Sequence, residues 1–212
     1  MKRSKIQLEA ITDIENCKRA ILNASRGKRK RNKVMFYIEN IEGYAKVLSE
    51  YLSNPNSVFR DGSKAVKVEG TKKKERELRK PYFFPEHCAH WAIMQVIMPD
   101  LTKGFYNLSC ASIKGRGAHY AKRAVESILK KDMRNTKYCM QIDIKSFYAS
   151  ISKDTLINLL GMKFKDRRIV AILAKIIRSY KGDGLPIGFY SSAPLANFTL
   201  HNPIIISKKL CR

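Results

Sequence analysis

Apolar residues recur every three or four positions along most of this chain, and that spacing constrains the fold more than any other feature. They fall first at Leu8, Ile11, Ile14, Cys17, Ile21 and Leu22, a stripe down one face of a helix. A second stripe runs through Ile38, Ile41, Ala45, Leu48 and Leu52 and stops at the breaker Ser53-Asn54-Pro55-Asn56. His87 to Met98 reads as a third helix, stopped by Pro99. Ala121, Ala124, Val125, Ile128 and Leu129 share one helical face, as do Ile169, Ile172, Leu173, Ile176 and Ile177. Period-two patterning is scarce. Ala65, Val66 and Val68 predict one strand, and Leu78, Tyr82, Phe83 and Phe84 another, joined by Gly70-Thr71-Lys72-Lys73-Lys74-Glu75-Arg76. Tyr138, Met140, Ile142 and Ile144 alternate with Cys139, Gln141 and Asp143, which predicts a third. The expected class is α+β, mostly helical with a hairpin and one small sheet.

Charge bears on partners. The 212 residues carry 42 Lys and Arg against 18 Asp and Glu, a formal +24. A polyanion is the simplest partner for such a surface, because neutralised phosphates release their counterions. The most concentrated run is Arg26-Gly27-Lys28-Arg29-Lys30-Arg31-Asn32-Lys33. A membrane surface would attract the same charge, but no basic amphipathic helix with exposed aromatics accompanies it. No apolar run approaches the roughly 18 residues of a membrane span. No apolar signal core follows the basic start, so a cytoplasmic protein is expected. The cysteines Cys17, Cys88, Cys110, Cys139 and Cys211 are scattered and odd in number, which reads as reduced thiols. Cys88 lies between His87 and His90, but no second ligand pair has zinc-site spacing.

Two segments carry candidate chemistry. In Gln141-Ile142-Asp143-Ile144-Lys145-Ser146-Phe147-Tyr148-Ala149-Ser150-Ile151 a carboxylate ends the third predicted strand. Such an Asp suits Mg²⁺, which prefers rigidly held carboxylate and phosphate oxygens. A turn residue or helix cap has the same spacing. The second segment, Gly184-Leu185-Pro186-Ile187-Gly188-Phe189-Tyr190-Ser191-Ser192-Ala193-Pro194-Leu195-Ala196-Asn197-Phe198, is rich in small residues. That suits a backbone passing close to a ligand, or an ordinary loop entering a buried helix. The basic hairpin tip reads equally as a phosphate contact or a solvated charge run.

In that order and separation, these segments resemble motifs of reverse transcriptases from group II introns, retrons and diversity-generating retroelements. The first is similar to motif A, Asp-Ile-x-x-Phe-Phe/Tyr-x-x-Ile, and the second to motif B, Gly-Leu-Pro-x-Gly-x-x-x-Ser. Arg76-Glu77-Leu78 followed by Pro81 resembles the fingers motif. Leu108-Ser109-Cys110-Ala111-Ser112 through Gly115-Arg116-Gly117-Ala118-His119 resembles the stretch preceding motif A. The resemblance implies right-hand polymerase fingers plus a partial palm with an incomplete antiparallel sheet. Residues 1–56 would form a basic helical region, 57–136 the fingers and 137–212 the palm portion, with no thumb.

It further implies a bacterial or phage-encoded enzyme that copies an RNA template from a DNA or RNA primer, using dNTPs and two Mg²⁺ ions. Asp143 would be the catalytic metal ligand, assisted by the Ile144 carbonyl. Phe147 and Tyr148 would lie by the nucleotide sugar, with Tyr148 as the gate against a 2′-hydroxyl. Lys74, or Lys72 or Lys73, would clamp the triphosphate with Arg76. Ile187, where many members have Gln, and Gly188 would pack near the incoming base pair. Arg29, Lys30, Arg31 and Arg116 would contact nucleic acid.

The family completes its metal site with Tyr-x-Asp-Asp after motif B, whereas no Asp or Glu follows Asp183 here. The expectation is an incomplete, inactive fragment lacking a further palm and thumb segment, or alternatively a non-catalytic RNA or primer–template binding module. Primer extension on poly-rA with Mg²⁺ is therefore expected to give no product with these 212 residues. Robust synthesis by the pure chain refutes this.

Overall fold

The structure is a computed structural model that describes residues 3–69 and 74–210, with backbone alone for Glu69, Lys74 and 202–210. Its helices are α1 (Leu8–Thr12), α2 (Ile14–Ala24), α3 (Asn32–Glu39), α4 (Ile41–Ser53), α5 (Cys88–Thr102), α6 (Ala118–Lys131), α7 (Phe147–Ser150), α8 (Lys153–Lys163), α9 (Arg167–Ser179) and α10 (Ser192–Leu210). Strands β1 (Ser63–Glu69) and β2 (Lys74–Lys80) form an antiparallel hairpin between α4 and α5. Its register runs from Ser63 opposite Lys80 to Glu69 opposite Lys74. The tip, with Lys72 and Lys73, lies outside the described residues.

One apolar core joins α1, α2, α4, α5, α8, α9 and the start of α10. Leu8 and Ile11 of α1 belong to it together with Leu156 of α8, Ile169 of α9 and Phe198 of α10. Helix α2 packs on both α4 and α5. Inside the α2–α5 contact, the amide of buried Asn16 donates to the Ile11 carbonyl (2.8 Å) and the Ala92 carbonyl (3.1 Å). The Gln95 amide donates to Asn16 Oδ1 (2.7 Å). Buried polar atoms paired in this way fix the register of two helices without a desolvation penalty. The N-terminal segment is also tied to the chain's second half. Ser4 bridges Phe164, Leu8 N–H donates to Asp166 (2.9 Å), and Arg168 reaches Glu9 (2.6 Å).

Several expected elements differ. The first stripe is two helices. Asp13 has extended backbone and its carboxylate accepts the Asn16 N–H (2.9 Å), so it restarts the helix as an N-cap. The second stripe is likewise divided at Asn40, whose amide donates back to the Phe36 carbonyl (2.9 Å). Strand β2 ends at Lys80 because Pro81 lacks an N–H for the ladder. Phe84 instead packs with Tyr37 (5.0 Å between ring centroids) and Tyr44 (5.1 Å). Pro99 does not stop α5, which continues to Thr102. It sits in the last turn, where little helix remains to be disrupted.

The largest correction concerns Tyr138–Ile144. This segment forms no strand among the described residues, and Tyr138, Met140 and Ile142 are more than three-quarters exposed. Alternation can form a strand only when a neighbour accepts its backbone hydrogen bonds and covers its apolar face. Neither is present beside it among the described residues, so the alternation does not form the predicted strand. Helix α6 also has no buried residue and leaves Val125, Ile128 and Leu129 about half exposed.

Candidate nucleic-acid and nucleotide interface

The turn before α7 sets the first part of the site. Ser146 has φ +52°, an uncommon left-handed conformation for a residue other than glycine. It turns the exposed 141–145 segment into the single helical turn Phe147–Ser150. Phe147 and Tyr148 are half-buried, with rings edge-on at 5.8 Å. Burial pushes the Tyr148 phenol above its ordinary pKa. The Ser152 hydroxyl then caps α8 by accepting the Thr155 N–H (3.3 Å).

The 184–192 segment crosses this turn and reaches the hairpin. Leu185 N–H donates to the Tyr148 carbonyl (2.9 Å), and Arg79 N–H of β2 donates to the Ile187 carbonyl (2.8 Å). Glycine is required at both contacts. Gly184 has φ +62°, and a Cβ there would collide with the Tyr148 carbonyl. Gly188 has φ +114°, and a Cβ would collide with the Arg79 carbonyl. Buried Leu185 anchors the segment in the core.

Helix α5 holds the next three residues. His90 Nδ1 shares a 2.9 Å hydrogen bond with the Ser191 hydroxyl, and its ring meets Phe189 edge-on at 5.0 Å. Trp91, the chain's lone Trp, stacks on Tyr190 at 3.9 Å. The sequence contains no signal pairing His90 and Trp91 with residues about a hundred positions away. Among the described residues, no three His, Cys, Asp or Glu side chains gather into a metal-binding group. Burial pushes the Cys88 thiol up. It pushes the His90 imidazole down to about 3, and burial followed by Lys28 pushes His87 down to about 4.

The hairpin root is fixed by charge. Arg60 makes a two-armed contact with buried Glu86, and its guanidinium lies 4.2 Å from the Tyr82 ring centroid. Arg79 reaches Asp61 (3.2 Å) and Glu77 (3.0 Å). These ion pairs are more enclosed than a freely solvated surface pair. Farther out, Arg76 is exposed on β2 and stands opposite Lys67.

The structure thus joins Tyr148, Ile187, Gly188 and the hairpin. Asp143 and Ile144 lie on the exposed approach to the Ser146 turn. Their carboxylate and carbonyl suit a share of one Mg²⁺ shell and do not make a two-ion centre by themselves. Arg29, Lys30 and Arg31 are exposed after α2. Arg116 donates to the Tyr106 carbonyl (3.4 Å). Lys74 begins β2, and its side chain lies outside the described residues.

No protein-family model matches the sequence. The chain is similar to an uncharacterised 91 kDa protein in the cob intron of Schizosaccharomyces pombe. The two are 29% identical over 119 residues, a match covering 51% of this chain and 14% of that relative. Among the described residues, no helix is long and apolar enough to cross a membrane.

Two outcomes follow from the geometry. Gly188→Ala is expected to destabilise the fold by about 1–3 kcal/mol, read from the urea midpoint; an unchanged midpoint contradicts the Arg79 contact. His87 and His90 are held neutral in the fold but protonate near 6.5 when unfolded. Burial and Lys163 lower His201 as well. For His87 and His90 the stabilising contribution is complete above pH 6.5 and is lost as pH falls toward 4, by up to about 1.4 kcal/mol per pH unit for each of the two. Urea titrations from pH 7 to 4.5 should show this slope, shallower in His90→Gln. A flat profile contradicts burial of the neutral rings.

Proposed function

We propose that this chain forms the fingers and first part of the palm of an RNA-directed DNA polymerase of the reverse transcriptase type. Its partners are an RNA template, a DNA or RNA primer and dNTPs. The observation that carries this reading is the junction at Gly184–Gly188. Three segments separated in sequence and resembling motif A, motif B and the fingers motif are bonded to one another through their backbones. An intron-located relative is in keeping with a retroelement origin.

In this reading the half-buried Tyr148 ring is the floor under the nucleotide sugar and excludes a 2′-hydroxyl. Ile187 and Gly188 face the nascent pair. Arg76, with Lys74, holds the triphosphate from the hairpin. Mg²⁺, when bound, would supply Lewis-acid stabilisation of the attacking oxygen and the phosphoryl group. Asp143 and the Ile144 carbonyl would hold an ion together with the phosphates of the nucleotide.

The test uses the longest product that the gene encodes. RNA-templated dNTP incorporation is expected, falling to background in Asp143→Asn. Tyr148→Ala is expected to admit ribonucleotides. Synthesis unaffected by Asp143→Asn overturns the reading. Salt-sensitive RNA binding without synthesis in any longer product favours the binding module instead.

A further inference from the structure

A cleft of about 340 Å³ opens between the basic turn after α2, the exit of β2 and the rim of the 184–188 segment. Its cations are Lys28, Arg31 and Lys80, and among the described residues no carboxylate lines it. Val34, Pro81 and Phe83 form an apolar wall, and Gly188 lies at its edge. Lys28 Nζ donates to His87 Nε2 (2.8 Å) and to the Ala24 carbonyl (3.2 Å). His87 Nδ1 is buried and has no hydrogen-bond partner among the described residues.

We propose that this cleft holds a backbone phosphate of a nucleic-acid strand where the strand passes Gly188 toward the hairpin. This rests on the polymerase reading and adds a site to it. Three cations around one cleft repel one another, and a phosphate among them offsets that repulsion at short range. Burial holds the Lys28 ammonium below its ordinary pKa, and Arg31 pushes the same way. The tension is relieved by an anion. A dianion or a free nucleotide would satisfy the same charges. The apolar wall of Val34, Pro81 and Phe83 instead fits the sugar of a continuous strand. The position also suits a strand. Lys80 lies at the base of the hairpin, Gly188 presents bare backbone, and Arg29 and Lys30 continue the cationic track from the same turn as Arg31.

The pocket variant is Arg31→Gln with Lys80→Gln. Both residues are exposed, so the Lys28–His87 pair and the core stay intact. The control, Lys46→Gln with Lys165→Gln, removes the same charge from exposed positions outside the cleft. Binding of a single-stranded oligo(rA) is measured from 50 to 300 mM KCl, and the His87 ring resonance is followed by NMR. For wild type and control, oligo(rA) should shift the His87 signal, whereas inorganic phosphate at the same phosphate concentration should not. The pocket variant should lose that shift, and its log Kd against log salt slope should fall by about 0.7 for each phosphate it no longer neutralises. Equal slopes in pocket variant and control, or an unmoved His87 signal in RNA-bound wild type, overturn the inference alone. An equal response to inorganic phosphate shows a free-anion site and also overturns it. Failure of wild type to bind RNA overturns the inference and the polymerase reading together.

Discussion

The segment from Gly184 to Gly188 is held by its backbone at both ends, and the arrangement of the whole site depends on those two contacts. At one end Leu185 bonds the carbonyl of Tyr148; at the other the carbonyl of Ile187 accepts from Arg79. Side chains can adjust to a neighbour by changing rotamer, but a carbonyl packed against a Cα cannot. Both positions therefore exclude a Cβ. Because the same five residues touch the α7 turn and the hairpin, displacing one contact displaces the other. Helix α5 adds a third constraint, holding Phe189, Tyr190 and Ser191 through His90 and Trp91.

Electrostatics divide the molecule in two. Inside, the ionisable groups near the site are neutral or paired: His90 and His87 are uncharged near neutral pH, and Glu86 meets Arg60. Outside, an excess of cations faces solvent. A neutral, well-packed base under a cationic surface can engage a polyanion without disturbing its own core. Lys28 lies on the boundary. It is partly buried and bonded to His87, yet it faces the cleft. Any charge brought into the cleft therefore acts on it more strongly than on a fully solvated lysine.

The helices were legible because their apolar faces are buried at the spacing the sequence shows. Ile169, Ile172, Leu173, Ile176 and Ile177 are all buried on α9, behind an Asp166 cap. Helix divisions were less legible, since Asp13 and Asn40 interrupt the backbone without interrupting the apolar stripe. Tyr138–Ile144 shows the opposite failure, with strand patterning and no strand. Patterning states which residues need cover, and only a neighbouring element can supply it. Gly184 and Gly188 read in the sequence as backbone close to a ligand, whereas the contacts that exclude a Cβ are with the chain's own Tyr148 and Arg79 carbonyls. Lys28, Lys80 and His90 were not legible, since a basic run, a hairpin end and a histidine on an apolar helix are each commonplace alone.

The sequence by itself determined the helical periodicity, the hairpin, the excess of cations and the order of the motif-like segments. These are local or additive properties, written in residue type and spacing. Tertiary structure decided which of those segments touch. It placed Ile187 against Arg79 and Gly184 against Tyr148, gathered Lys28, Arg31 and Lys80 around one cleft, and left Asp143 on an exposed approach. Such contacts follow from how the helices share a core and from where the backbone can approach without a side chain in the way, and neither is written at any single position in the chain.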